Sequence, residues 1–291
     1  MSQFLKYELY GADGSYWNLT DGDEGATLNP EPSKLDDAPV KTFWIKSAFG
    51  QKYQGHKVQR RDPVISVDIE GDDPDDWHDK DSRFRMAFDY GTQARLVATT
   101  YDGARELKVR LLQEPTKSSI GGKDPHLWAR STLTVPLAAE QPCFTQPDVT
   151  RDWVLPSGTS GTGYLPVWNP CDVDIWLKWV CTYPGEYTLP DFSWLDDIAA
   201  DRVVELEPLV ITDGNLTIDT AQSEEQLIST EETPVWPRQH GKGFLFPVPR
   251  FTGSESDPIM LPVSVTGGVA GVSGVQVRMP RTFSRPYGVV R

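Results

Sequence analysis

The chain has 291 residues and a formal charge of −14 at neutral pH, with a pI near 4.7. That balance excludes nucleic-acid binding by phosphate neutralisation, which needs a basic face. With 24 glycines, 24 prolines and 11% aromatic residues, the composition argues against long helices and for short strands joined by turns; the length suits about two domains.

In chain order, Phe4–Tyr10 and Ser15–Thr20 read as a hairpin around the turn Gly11–Gly14. Residues 21–25 and 29–39 are loops by composition, Thr42–Ile45 fits a short strand, and Phe49–Tyr53 fits no single period. Ile65, Val67 and Ile69 alternate with polar residues, the pattern of a half-buried strand. A short helix is predicted from about Asp79 to Tyr90, where Phe84 and Phe88 are spaced i, i+4. Leu96–Thr100 and Leu107–Leu111 form a hairpin around Asp102-Gly103, and Leu133, Val135 and Leu137 alternate before the first body closes near Pro142.

Residues 142–166, rich in proline and carrying SGTSGTG, read as a linker or long connection. The stretch Trp168–Leu189 then reads as a central strand of a second body. Ile175, Leu177, Trp179 and Cys181 lie on one face, with Asp174, Trp176, Lys178 and Val180 on the other. A short helix is predicted at Phe192–Ala200, followed by strands at Val203–Leu206, Leu209–Ile211, Leu216–Ile218, Leu227–Ile228, Phe244–Val248, Val263–Val265 and Val275–Met279. The expected fold class is all-β with one or two short helices. Domains are expected at 1–147 and 148–291.

Chemistry-bearing patterns are sparse. The cluster Asp72, Asp73, Asp75, Asp76, Asp79, Asp81 reads as a solvated acidic loop, with a weak cation site as the alternative; Pro74 and Trp77 break any calcium-loop register. His56, His78, His126 and His240 have no partner at metal-ligand spacing. SGTSGTG has Thr162 where a nucleophile elbow needs glycine, and it lacks the lysine of a phosphate loop. No catalytic residue, metal or cofactor is therefore expected, and the protein is read as no enzyme. Trp236, Arg238 and His240 in TPVWPRQHGKGF form a mixed aromatic and polar patch, open between core or interface packing and stacking on a sugar.

Cys143, Cys171 and Cys181 show no CxxC spacing, and their odd number argues against a complete disulfide framework. MSQFLKYELYGADG lacks the apolar core of a signal peptide, and no run approaches the ~18 apolar residues of a membrane span. Folding in a reducing cytoplasm, with no membrane insertion, is the expectation.

One family resemblance runs along the chain. The segments FLKYELYGADGSYWNLTDGDEGATL, RFRMAFDYGTQARLVATTYDGARELKVRL, LWARSTLTVPLAAEQPCF, NPCDVDIWLKWVCTYPGEYTLPDF, LVITDGNLTIDT, VWPRQHGKGFLFPVP and the closing RPYG follow in that order. Together they resemble the distal tail (Dit-like) minor tail proteins of long-tailed, siphovirus-type phages, in particular those of actinobacterial hosts. The extended arm with which some members belt the neighbouring subunit is not identifiable in the sequence.

The resemblance implies an N-terminal β-sandwich-like ring domain over 1–147 and a C-terminal galectin-like β-sandwich over 148–291. It implies a hexameric ring at the tail tip of the virion, made in the host cytoplasm. The ring would join the tail tube protein to tail-tip or baseplate hub and tape-measure proteins and let DNA pass. A closed ring needs two complementary faces on each subunit. Tyr10, Trp17, Arg281 and Arg285 are the candidate interface residues, since interfaces favour these side chains. The alternative function is a carbohydrate-binding module that contacts a host surface glycan through Trp236 and Arg238; a cell-wall hydrolase is a third and weaker reading.

Overall fold

The computed structural model of the chain describes residues 5–30 and 34–288. They divide into two units: one of the described parts of Met1–Gln146 and Phe283–Val289, and one of Pro147–Thr282.

In the first unit the predicted hairpin forms β1 (Lys6–Tyr10) and β2 (Tyr16–Asn18), with Tyr10 opposite Tyr16. The chain continues through β3 (Ala26–Leu28), β4 (Val40–Lys46), β5 (Gln51–Val58) and β6 (Val64–Glu70). After α1 (Pro74–Met86) come β7 (Ala94–Thr100), β8 (Gly103–Leu111) and β9 (Thr116–Ser119). The single-turn α2 (Pro125–Trp128), β10 (Arg130–Ala138) and β11 (Phe144–Val154) follow. One sheet runs β2-β1-β7-β8, and a second runs β9-β10-β6-β3. In the second sheet Ile65 pairs with Val135 and Val67 with Leu133, and all four are fully buried. Each such side chain contributes about 1.5–3 kcal/mol by leaving water.

The acidic cluster is not a loop. Asp73 caps α1 by accepting hydrogen bonds from the backbone N–H groups of Asp75 and Asp76 at 3.0 and 2.9 Å, and Pro74 fills the first turn. Asp75 and Asp76 sit at the positive end of the helix, with Arg83 and Arg85 in its last turn. The helix therefore begins at Pro74 rather than Asp79 and ends at Met86. It buries Trp77 and Phe84.

The segment 283–288 packs with the first unit, whereas the sequence reading places it in the C-terminal domain. Two buried arginines of the first unit account for the difference. Arg61 donates to the carbonyls of Leu35 and Ser284 at 2.7 and 2.5 Å. Arg105 donates to those of Arg285 and Gly288 at 2.9 and 2.8 Å, and to Asp102 at 2.7 Å.

The second unit contains β12 (Gly161–Val167), β13 (Lys178–Cys181), β14 (Glu186–Pro190) and β15 (Val203–Glu205). Then come β16 (Leu216–Asp219), β17 (Leu227–Ser229), β18 (Ile259–Thr266) and β19 (Gly274–Phe283). One sheet runs β12-β18-β14-β15; β17-β16-β13-β19-β11 runs through the other. Trp179, Tyr187, Leu216, Val263 and Val277 belong to the core of this unit.

Several local expectations are overturned here. Residues 142–166 are not a linker but contribute β11 and β12. Their glycines serve close packing, since a Cβ on Gly163 would lie 2.2 Å from Nε1 of Trp153. The Trp168–Leu189 stretch is regular strand only at β13 and β14; β13 is central, between β16 and β19, yet buries one face only. Phe192–Ala200 is not helical. Ser193 and Asp197 accept from the backbone N–H groups of Leu195 and Ala199, so local turn bonds replace a helical ladder. Leu209 and Val248 make isolated bridges instead of strands.

Candidate interaction surfaces

Strands β4 and β5 form a two-stranded ribbon that pairs with no other strand among the described residues. Almost every residue along it is exposed, including Phe43, Trp44 (54%), Ile45, Tyr53 and, at the tip, Phe49 (98%). The sequence builds it from a Ser47–Gly50 turn, where the Ser47 N–H donates to the Gly50 carbonyl at 3.0 Å, and from a bulge opposite Phe43 and Trp44. Gly55, at a φ of +141°, sits at that bulge. Trp44 and Tyr53 pack edge to face at 5.3 Å across the strands.

The ribbon also inverts the charge of the chain. It carries Lys41, Lys46, Lys52 and Lys57 and no aspartate or glutamate, on a protein of formal charge −14. An isolated two-stranded ribbon is marginally stable in water, and a row of exposed aromatics makes it a candidate interaction surface. The sequence signal was present in the lysines and aromatics of 40–58, but no face of it is buried, so it matches no amphipathic period.

The predicted interface residues divide. Tyr10 lies at the surface, its ring 5.3 Å from Tyr16 and under the guanidinium of Arg95 at 4.9 Å. Beside it the Tyr16 hydroxyl donates to Glu8 at 2.5 Å, which holds the Glu8 carboxyl below its ordinary range and raises the phenol. Trp17 is fully buried, edge-on to Phe84 at 5.0 Å, with its indole N–H donating to Ser15; it is a core residue with no surface to offer. Arg281 is also buried, over the Trp168 ring at 4.9 Å and donating to the Trp168 carbonyl, and burial lowers its pKa. Arg285 is half exposed and pairs with Asp37 at 2.6 Å.

Of the sugar-contact pair, Trp236 lines a cavity of about 570 Å³ in the second unit, with Arg202, Gln222, Glu224, Glu225 and Phe244. Arg238 is not among the lining residues. It donates to Asp213 at 2.6 Å, and that carboxylate also accepts from Thr233 and the Val210 N–H. Gln222, Glu224 and Glu225 have no signature in the sequence, because nothing in the spacing of two loops shows that they share a cavity.

His78 and His126 do meet, Nε2 to Nδ1 at 2.8 Å, where α1 approaches α2. No group of three or more potential metal ligands forms among the described residues, and no helix there is long and apolar enough to cross a membrane.

The two β-rich units have the fold of a phage tail hub protein. The chain superimposes on the SPP1 Dit protein (gp 19.1), a paradigm of the hub adsorption apparatus in phages that infect Gram-positive hosts, with a TM-score of 0.61 and 14% identity over 95% of this chain and 99% of that one. By sequence it is similar to the minor tail protein Gp27 of Mycobacterium phage D29, at 28% identity, and to Gp27 of Mycobacterium phage L5, at 27%. Each alignment spans 97% of this chain and 98% of the relative. No protein-family profile matches. The Dit-like resemblance read from the sequence stands, and the homology supports a structural role in a phage tail.

Proposed function

We propose that this protein forms a homo-oligomeric ring, six-fold in its expected symmetry, at the tip of a phage tail. The first unit would close the ring, and the second, a galectin-like sandwich, would be displayed from it. The ring would join the tail tube protein to tail-tip or baseplate hub and tape-measure proteins and leave a passage for DNA. The observation that carries this reading is the exposed, lysine-rich, aromatic ribbon 40–58 on an acidic chain. A ring needs a projecting face and a receiving face on each copy, and a basic arm is complementary in charge to the rest of the same protein. Tyr10 and the exposed part of Arg285 remain candidate contacts beside it. The acidic balance suits a wall past which DNA moves without adhering.

Light scattering with negative-stain imaging of the purified protein tests the proposal. The expected result is a ring with an open centre, lost when Lys41, Lys46, Lys52 and Lys57 are changed to glutamate and weakened by salt. A wild-type protein that stays monomeric even when supplied with tail tubes would overturn it.

A further inference from the structure

The cavity beside Trp236 in the second unit is not used by the ring reading, and its backbone is held in place by side chains. Its floor is the backbone of residues 243–245, fixed by side chains from three directions. Gln226 accepts from the Phe244 N–H and donates to the Phe244 carbonyl, both at 3.0 Å. Arg202 donates to the Gly243 carbonyl at 2.8 Å, and Asp191 accepts from the Leu245 and Phe246 N–H groups. The Trp236 indole rests against Gly243, where a Cβ would lie 3.0 Å from the ring, and it remains 43% exposed. Glu224, Glu225 and Gln222 line the cavity as exposed side chains. The volume falls within the roughly 300–1,000 Å³ of small-ligand pockets, and a fixed floor with one open aromatic face is preorganised for a ligand.

We propose that this cavity binds an uncharged or amino-bearing saccharide, with the indole of Trp236 under the apolar face of a sugar ring and Glu224, Glu225 and Gln222 taking its hydroxyls. A flat aromatic face beside acceptors spread over three side chains suits a ring with several hydroxyl donors. The positive charge of Arg202 is already taken up by Asp191, which it contacts directly. Lys242, between the lining glycines Gly241 and Gly243, pairs with Glu205 at 3.4 Å, so the two glutamates leave the cavity net acidic and would exclude uronate- or phosphate-bearing glycans by repulsion. Arg238, bound to Asp213, takes no part.

The test is calorimetric titration of the full-length protein with neutral hexose oligosaccharides, N-acetylglucosamine and glucosamine oligomers, a uronate oligosaccharide, and a lysine- and arginine-containing peptide. At least one neutral or amino-bearing saccharide is expected to bind in the millimolar range or tighter. Trp236→Ala should lose on the order of ten-fold in affinity and Trp236→Phe less, with unchanged melting temperatures. The paired Glu224→Gln and Glu225→Gln variant should relax the rejection of the uronate. If Trp236→Ala melts early, Trp236→Phe and the paired variant decide. Overturning results are no binding by any neutral or amino-bearing saccharide, equal wild-type binding of the uronate, binding indifferent to Trp236, or the peptide binding more tightly than every saccharide. None of these outcomes bears on whether the chain forms a ring.

Discussion

The guanidinium of Arg105 stacks 3.8 Å from the centroid of the Phe283 ring, and both side chains are buried. The same guanidinium holds two backbone carbonyls of the segment that follows Phe283 and pairs with Asp102, so one side chain fixes a return of the chain onto the first unit. Arg105→Leu removes one partner of a buried ion pair and is expected to destabilise the first unit by about 3–5 kcal/mol. Arg105→Lys should lose most of this too, because an ammonium cannot reproduce the forked donors. Urea unfolding followed by a probe in the first unit measures it; a loss within experimental error for Arg105→Leu would refute the role.

Dissecting the chain after Gln146 should damage the first unit. A fragment ending at Gln146 leaves Arg61 and Arg105 without the carbonyl partners they find in residues 284–288. It is expected to melt below the first unit of the whole protein. A synthetic peptide of residues 281–288 should raise its melting temperature by binding; a fragment as stable alone as with peptide would contradict this account.

Gly163 is a packing glycine. Gly163→Ala drives a Cβ into the Trp153 indole and should cost about 1–3 kcal/mol by overpacking. In a Trp153→Ala background the same change should cost little, which a double-mutant cycle reads directly. Gly158→Ala, at φ +70° with open space around it, should cost about 1–2 kcal/mol through its backbone alone and show no such coupling.

Acid should weaken the second unit through Asp213. Burial pushes this carboxyl up, but the Thr233 hydroxyl, the Arg238 guanidinium and the Val210 N–H outweigh it and hold its pKa below the ordinary value. A carboxyl with a depressed folded pKa contributes stability that is present above its unfolded pKa of about 4 and lost as pH falls through the folded value. The urea midpoint of the wild type should therefore fall more steeply below about pH 4 than that of Asp213→Asn. The variant should be less stable at neutral pH. Parallel pH profiles for the two proteins would remove Asp213 from the explanation.

Much of the fold was legible because burial alternates cleanly. Ile65, Val67 and Ile69 announce β6, and Asp102-Gly103 announces the β7–β8 hairpin. What misled was chemistry whose meaning depends on distant residues. Glycines suggest flexibility until Trp153 is found lying on Gly163. Aspartates suggest a loop until Asp73 is seen to cap a helix. The candidate surfaces were less legible still. Trp17 and Trp236 look alike in a string of letters, and only the arrangement of strands around them buries the first and leaves the second open. Of the ribbon 40–58 only Thr42–Ile45 was legible as a strand, because nearly all of its residues are exposed and so obey no internal inside-outside rule.

The division of the chain has a consequence for how such proteins can diversify. Because 283–288 belongs with the first unit, the second unit is an insert between two parts of one host body, joined to it at Gln146 and at Phe283. A segment bounded in this way can be exchanged as a cassette, with the two junctions kept and the contents replaced. Related chains could then alter what they present while the element that carries it stays unaltered.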